Sequence, residues 1–163
     1  MRPYGGFDHN AQSLKAVTSL EQRYAAFDGL NLTWETLEGI AKHNGPLRRP
    51  APAILAYNAL HDLELTTHAS AEAQVAAIAD DIAYNNHDLD DGIRAGLFTL
   101  EEAAALPLVA EAHAEVRAAY PDLESRRAAP ETVRRVINAM IEDVVAETGR
   151  RLRALAPSSA DDV

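Results

Sequence analysis

Cysteine is absent from the 163 residues, which excludes disulfides, thiolate nucleophiles and thiolate-based zinc sites. No apolar run approaches the roughly 20 residues a bilayer span needs. Met1 to Gly6 carries no basic segment leading into a hydrophobic stretch, so the pattern of a secretory signal is missing. A cytoplasmic location with no membrane partner is the simplest expectation. Basic residues are the minority: 15 Lys and Arg stand against 25 Asp and Glu, giving a net charge of −10. That balance argues against nonspecific nucleic-acid binding through a basic surface. An acidic small molecule stays compatible with it, because a bound cation and a few local basic groups offset phosphate charge. Aromatic residues make up only 6%, and alternating β-branched runs are few.

Alanine and leucine dominate instead, within a composition that is 47% hydrophobic. Helix-forming residues at helical spacing predict an all-α protein, and the length suits a single region with a substantial core. The expected architecture over 1–163 is an irregular helical bundle of about six to eight helices.

The chain is punctuated accordingly. Asp8 is placed to cap a first helix whose apolar side is Leu14, Val17, Leu20, Tyr24 and Phe27, broken by Asp28-Gly29. Thr33 opens a second helix with Trp34, Leu37 and Ile40 inward, closed by Lys42-His43-Asn44-Gly45-Pro46. Lys42 and His43 there are placed either to face a polyanion or simply to suit the negative end of the helix dipole, the second being the milder expectation. His61-Asp62 has the spelling of a metal pair, but neighbours on a helix diverge by about 100° and no second histidine supports a site. Thr99 and Glu102 have capping-box spacing. Pro107 and Pro130 each open a further helix, the last being the longest, with Gly149 as a weak point.

One stretch has the pattern of a site. In Ala79-Asp80-Asp81-Ile82-Ala83-Tyr84-Asn85-Asn86-His87-Asp88-Leu89, the residues Asp80, Tyr84 and Asp88 are spaced i, i+4, i+8 and form a polar ladder on a helix. Val75, Ile78, Ala79, Ile82 and Leu89 predict a separate apolar stripe on the same rod. Carboxylates are hard oxygen ligands for Mg²⁺ or Mn²⁺, and a carboxylate–phenol–carboxylate face suits a cleft. A solvated acidic helix face is the alternative.

Several stretches together resemble the bacterial deoxyguanosinetriphosphate triphosphohydrolase-like proteins of the HD-domain superfamily. They are Gly5-Gly6-Phe7-Asp8-His9-Asn10-Ala11-Gln12-Ser13-Leu14, Leu30-Asn31-Leu32-Thr33-Trp34-Glu35-Thr36-Leu37-Glu38-Gly39-Ile40, Lys42-His43-Asn44-Gly45-Pro46, and Ala73-Gln74-Val75 through Gly92. The resemblance implies a helical hydrolase that converts a deoxynucleoside triphosphate and water into a deoxynucleoside and inorganic triphosphate. It also implies that Asp80 is the last protein ligand of a His…His-Asp…Asp metal site. Tyr84 and Asp88 resemble deoxyribose-side residues, Asp88 accepting from the 3′-hydroxyl, and His9 resembles the histidine beside the attacking water.

The upstream His…His-Asp segment of that family has no counterpart in this sequence, nor does the distal segment with its basic and aromatic groups. The chain therefore resembles an internal segment of such a hydrolase, with an incomplete site for its divalent metal. One carboxylate does not complete an octahedral cation site. The expected partners are a deoxynucleoside triphosphate and either a second copy or complementary segments of the parent protein. The alternative function is a noncatalytic helical interaction or regulatory module.

Overall fold

The computed structural model describes residues 6–159 and 162. Most of the loop expected over Met1–Gly6, and Ala160, Asp161 and Val163 of the expected C-terminal tail, lie outside them. The protein is all helical: α1 (His9–Lys15), a π-helical turn (Ala16–Leu20), α2 (Trp34–Ala41), α3 (Pro52–Asn58), α4 (Ala71–Arg94), α5 (Leu100–Ala103), α6 (Pro107–Ala119) and α7 (Ser125–Leu155). Among the described residues the only β pairing is two isolated bridges, Gln22 with Gly29 and Tyr24 with Phe27. The chain groups into two compact units, one running to Ala77 and the other from Ile78 to Ser158.

In the first unit, Asp8 caps α1 by accepting from the Ala11 amide at 2.8 Å. That satisfies one of the free N–H groups at a helix start. The helix does not carry its apolar face to Phe27 as the spacing predicted. After Lys15 it widens into a π turn, and the chain leaves it at Glu21. Leu20, Tyr24 and Phe27 are exposed, the two rings stacking at 5.0 Å in a surface loop. That loop folds back because Gly29 donates to the Glu21 carbonyl and Leu30 to the Val17 carbonyl, each at 2.8 Å. The core is then Leu14 with Leu37, Ala41, Ile54 and Leu63, joining α1, α2 and α3. Burying each of the larger aliphatic side chains contributes about 1.5–3 kcal/mol.

In the second unit, α6 lies along α7. Val109, Ala112 and Val116 meet Ala128, Ala129 and Val136, with Leu89, Ile93, Phe98 and Met140 packed against them. Thr99 accepts from the Glu102 amide at 3.1 Å while Glu102 accepts from the Thr99 amide at 2.8 Å, completing the capping box at α5. Pro107 opens α6 as expected. Pro130 does not open α7. The helix starts at Ser125 and runs through the proline, which leaves the Arg126 carbonyl without an intrahelical N–H donor. Gly149 does not interrupt it either, and α7 ends at Ala156 in a left-handed conformation (φ 46°).

Candidate functional site

The start of α4 is held from outside the helix. Ser70 Oγ accepts from the Ala73 amide at 3.3 Å, and Gln74 Nε2 donates to the Ala69 carbonyl at 2.8 Å. The rod then continues for 24 residues to Arg94. Its buried seam in the second unit is Ile82, Asn86 and Gly92, flanked by the half-buried Leu89 and Ile93. Val75 and Ile78, expected in that seam, are 53% and 40% exposed, and Ala79 is exposed too. The central buried position belongs instead to a polar residue. Asn86 is 2% exposed; its Nδ2 donates to the Ile82 carbonyl at 2.8 Å and to Met140 Sδ at 3.3 Å. Its Oδ1 is buried with no hydrogen-bond partner among the described residues.

Asp80, Tyr84 and Asp88 all fall within this uninterrupted helix and all are exposed. At about 100° per residue they share an arc of about 80°, roughly opposite the Ile82–Asn86–Ile93 seam. Successive members rise by about 6 Å along the axis. The ladder is therefore one continuous outward face. A cleft of about 740 Å³ at the C-terminal end of α4 involves Asp90, Arg94 and Phe98 but none of these three residues. Asp90 there is committed to an ion pair with Arg94 at 2.8 Å.

His9 is the first residue of α1, exposed, and belongs to the first unit, whereas the ladder belongs to the second. The residue after it anchors that end of the helix: Asn10 is buried and its Nδ2 donates to Asn44 Oδ1 at 2.8 Å. Lys42 is not a cation on the surface at a helix end. Its ammonium is sealed from solvent, paired with Glu38 at 2.5 Å, and donates to the Glu64 carbonyl, Thr67 Oγ1 and the His68 carbonyl at 3.0–3.3 Å. It ties the 64–68 loop to α2. An acid four residues before a base on one helix is the sequence signal that points to this pair.

Among the described residues, no three His, Asp or Glu side chains converge to hold a metal ion. The donors present do not make a complete divalent-cation site, since Mg²⁺ and Mn²⁺ need about six oxygen or nitrogen ligands. No helix of the described residues is long and apolar enough to cross a membrane.

No family model matches the chain. It is 62% identical over 175 residues to a deoxyguanosinetriphosphate triphosphohydrolase-like protein of Azorhizobium caulinodans, covering 100% of this chain and 44% of that one. Proteins of the same description from Cereibacter sphaeroides and Rhizobium meliloti are each 60% identical, again over 100% of this chain and over 43% and 42% of theirs. The chain thus spans less than half the length of the curated relatives it matches, and it is their relative along its whole described length.

Proposed function

We propose that this chain, a relative of the deoxyguanosinetriphosphate triphosphohydrolase-like proteins, carries the sugar-facing part of a deoxynucleoside triphosphate triphosphohydrolase site. The observation that supports this reading is the exposed Asp80–Tyr84–Asp88 face on one unbroken helix, in a chain about 60% identical to those relatives from end to end. In the proposed reaction a water oxygen bonds to the α-phosphorus and the bond from that phosphorus to the 5′-oxygen breaks. The products are a deoxynucleoside and inorganic triphosphate.

The chain's own residues then have distinct roles. Asp88 accepts a hydrogen bond from the 3′-hydroxyl, and the Tyr84 phenol packs beside the sugar, so that binding energy remote from phosphorus orients the reacting bond. His9 moves a proton at the attacking water, a task suited to imidazole near neutral pH. Asp80 would be one of the residues that hold a divalent cation, Mg²⁺ or Mn²⁺, which when bound would polarise a phosphate oxygen and lower the pKa of the attacking water. The remaining ligands would come from protein outside this sequence, which the greater length of the relatives provides for. The two units are, in this reading, parts of one catalytic domain.

The test compares this chain with a version extended to the relatives' full length. Each is assayed for release of deoxynucleoside and triphosphate with added Mg²⁺ or Mn²⁺. Activity in the extended protein, lost in Asp80→Asn and weakened chiefly in KM by Asp88→Asn, is the expected result. Because Asp88 is exposed, Asp88→Asn should leave stability within about 0.5 kcal/mol. Unchanged turnover and unchanged KM in both variants would overturn the assignment.

A second reading is favoured by a different observation. Val75, Ile78, Ile141, Val145, Leu152 and Leu155 are apolar, lie on helices and are exposed. A noncatalytic helical module would use such faces to bind a second copy or another protein. Specific association without nucleotide or metal binding would favour it over hydrolysis.

A further inference from the structure

The longest helix outruns its packing. α7 has 31 residues and α6, which lies along it, has 13, or about 46 Å against about 20 Å at 1.5 Å per residue. The buried residues of α7 end at Val136, and none from Ile137 to Leu155 is buried. That distal stretch nevertheless carries an ordered apolar stripe. Ile141, Val145, Leu152 and Leu155 are 46%, 65%, 39% and 54% exposed, and Thr148 stands in line between them. The steps along the stripe are four, three, four and three residues, the heptad alternation of a helix that packs against another helix. At about 100° per residue the five positions share an arc of about 80°, roughly 120° away from Val136 and Met140, which face the core. Singly scattered exposed leucines are ordinary, whereas an aligned apolar face marks a contact surface.

Charge names the partner. In the same stretch Glu142, Asp143 and Glu147 precede Thr148, and Arg150, Arg151 and Arg153 follow it. The order suits the helix's own dipole, and it also makes the segment electrically two-ended. Two copies laid parallel would set acid against acid and base against base. Laid antiparallel, each acidic half meets a basic half. The apolar register agrees: with a two-fold axis at Thr148, Ile141 falls level with the partner's Leu155 and Val145 with the partner's Leu152. Glu142 edges the stripe on the same flank as Arg153. One of its oxygens accepts from Asn138 Nδ2 at 2.8 Å, and Arg153 has no ion pair among the described residues, so the two are placed to meet across the axis.

We propose that the distal half of α7 pairs with the same half of a second copy, antiparallel about Thr148. A contact of this kind is self-complementary and closes at two copies. It rests on neither functional reading, and its test uses no nucleotide or metal.

The contact is short, so association is weak and shows as concentration rises. Sedimentation equilibrium of the whole chain from about 1 μM to about 1 mM reads it. Val145→Glu and Leu152→Lys should each weaken the dimer by roughly tenfold or more. Mixed one to one, the two variants should associate again, because one contact across the axis then joins acid to base while the other keeps its native valine and leucine. Parallel helices offer no such rescue, since each position would face itself. Both residues are exposed, and far-UV circular dichroism checks that each variant stays helical. A second measurement leaves Val145 and Leu152 in place. The chain has no cysteine, so Ile141→Cys and Leu155→Cys chains mixed under oxidising conditions report orientation: antiparallel pairing gives the 141–155 disulfide, parallel pairing the two symmetric ones. A chain that is monomeric throughout the range overturns the proposal. So do a dimer that ignores both charged substitutions, a mixture no tighter than its components, or symmetric disulfides in excess.

Discussion

Glu38 on α2 and Lys42, the residue that follows the helix one turn later, meet at 2.5 Å with both side chains sealed from water. Isolated ions are costly to bury, so the pair persists because each charge satisfies the other and because Lys42 also donates to two loop carbonyls and a threonine hydroxyl. The ammonium with its three protons is fully engaged. The pair is therefore a clamp between α2 and the 64–68 loop, rather than a phosphate contact.

Removing one partner should be worse than removing both. Lys42→Met leaves the Glu38 carboxylate buried without a counter-ion and should destabilise by about 3–5 kcal/mol. The double substitution Glu38→Leu with Lys42→Met should recover a substantial part of that loss, although the loop carbonyls stay short of a donor. Urea unfolding of the three proteins measures the coupling. Equal destabilisation by the single and double changes would show that the charge pairing is not what matters.

Gly29 is required by geometry, with φ at 72° and no room for a side chain. A Cβ there would collide with the Val17 carbonyl oxygen and sit 2.6 Å from the Thr18 carbonyl, both of them backbone. Left-handed strain costs about 1–2 kcal/mol and forced overpacking about 1–3 kcal/mol. Gly29→Ala should therefore destabilise by about 3 kcal/mol. Thermal unfolding followed by Trp34 fluorescence checks this, and an unchanged midpoint would show that the loop yields without cost.

Near the end of α7, hydrogen bonds from Arg150 and then Arg151 hold the Glu147 carboxyl down to about 2, from an ordinary 4.5. A depressed carboxylate contributes stability that is fully present above pH 4.5 and is lost as pH falls from there through 2. The group is exposed, so the stability at stake is small after solvent screening. The titration itself is the sharper readout. Carboxyl NMR should place Glu147 well below the other exposed glutamates, and Arg150→Gln should raise it. A Glu147 midpoint that ignores loss of Arg150 would remove the hydrogen bond as its cause.

Both the helical class and much of its punctuation were legible in the residues. Asp8, Thr99 with Glu102, and Pro107 mark real helix starts, because a start signal involves only the first turn it precedes; Thr33 stands at the start of α2 too, but its hydroxyl meets Thr36 Oγ1 at 3.2 Å and makes no capping bond. The ladder register was legible for the same reason: Asp80, Tyr84 and Asp88 share a face of any helix that runs through them unbroken. Pro130 misled because a proline favours a first turn, yet α7 tolerates it one turn further in. The loop after Leu20 was read as helix because Tyr24 and Phe27 keep helical spacing, although hydrogen bonds from Gly29 and Leu30 pull the chain back instead.

Local periodicity, capping and charge by themselves determined that this is a helical protein with an acid–phenol–acid face on its 24-residue helix. Which residues are buried was decided only in three dimensions. Lys42 is enclosed by a loop more than 20 residues away, and Asn86 takes a seam position against Met140, 54 residues on. The physical reason is range: a helix is built from hydrogen bonds four residues apart, whereas burial depends on which distant side chains arrive to exclude water.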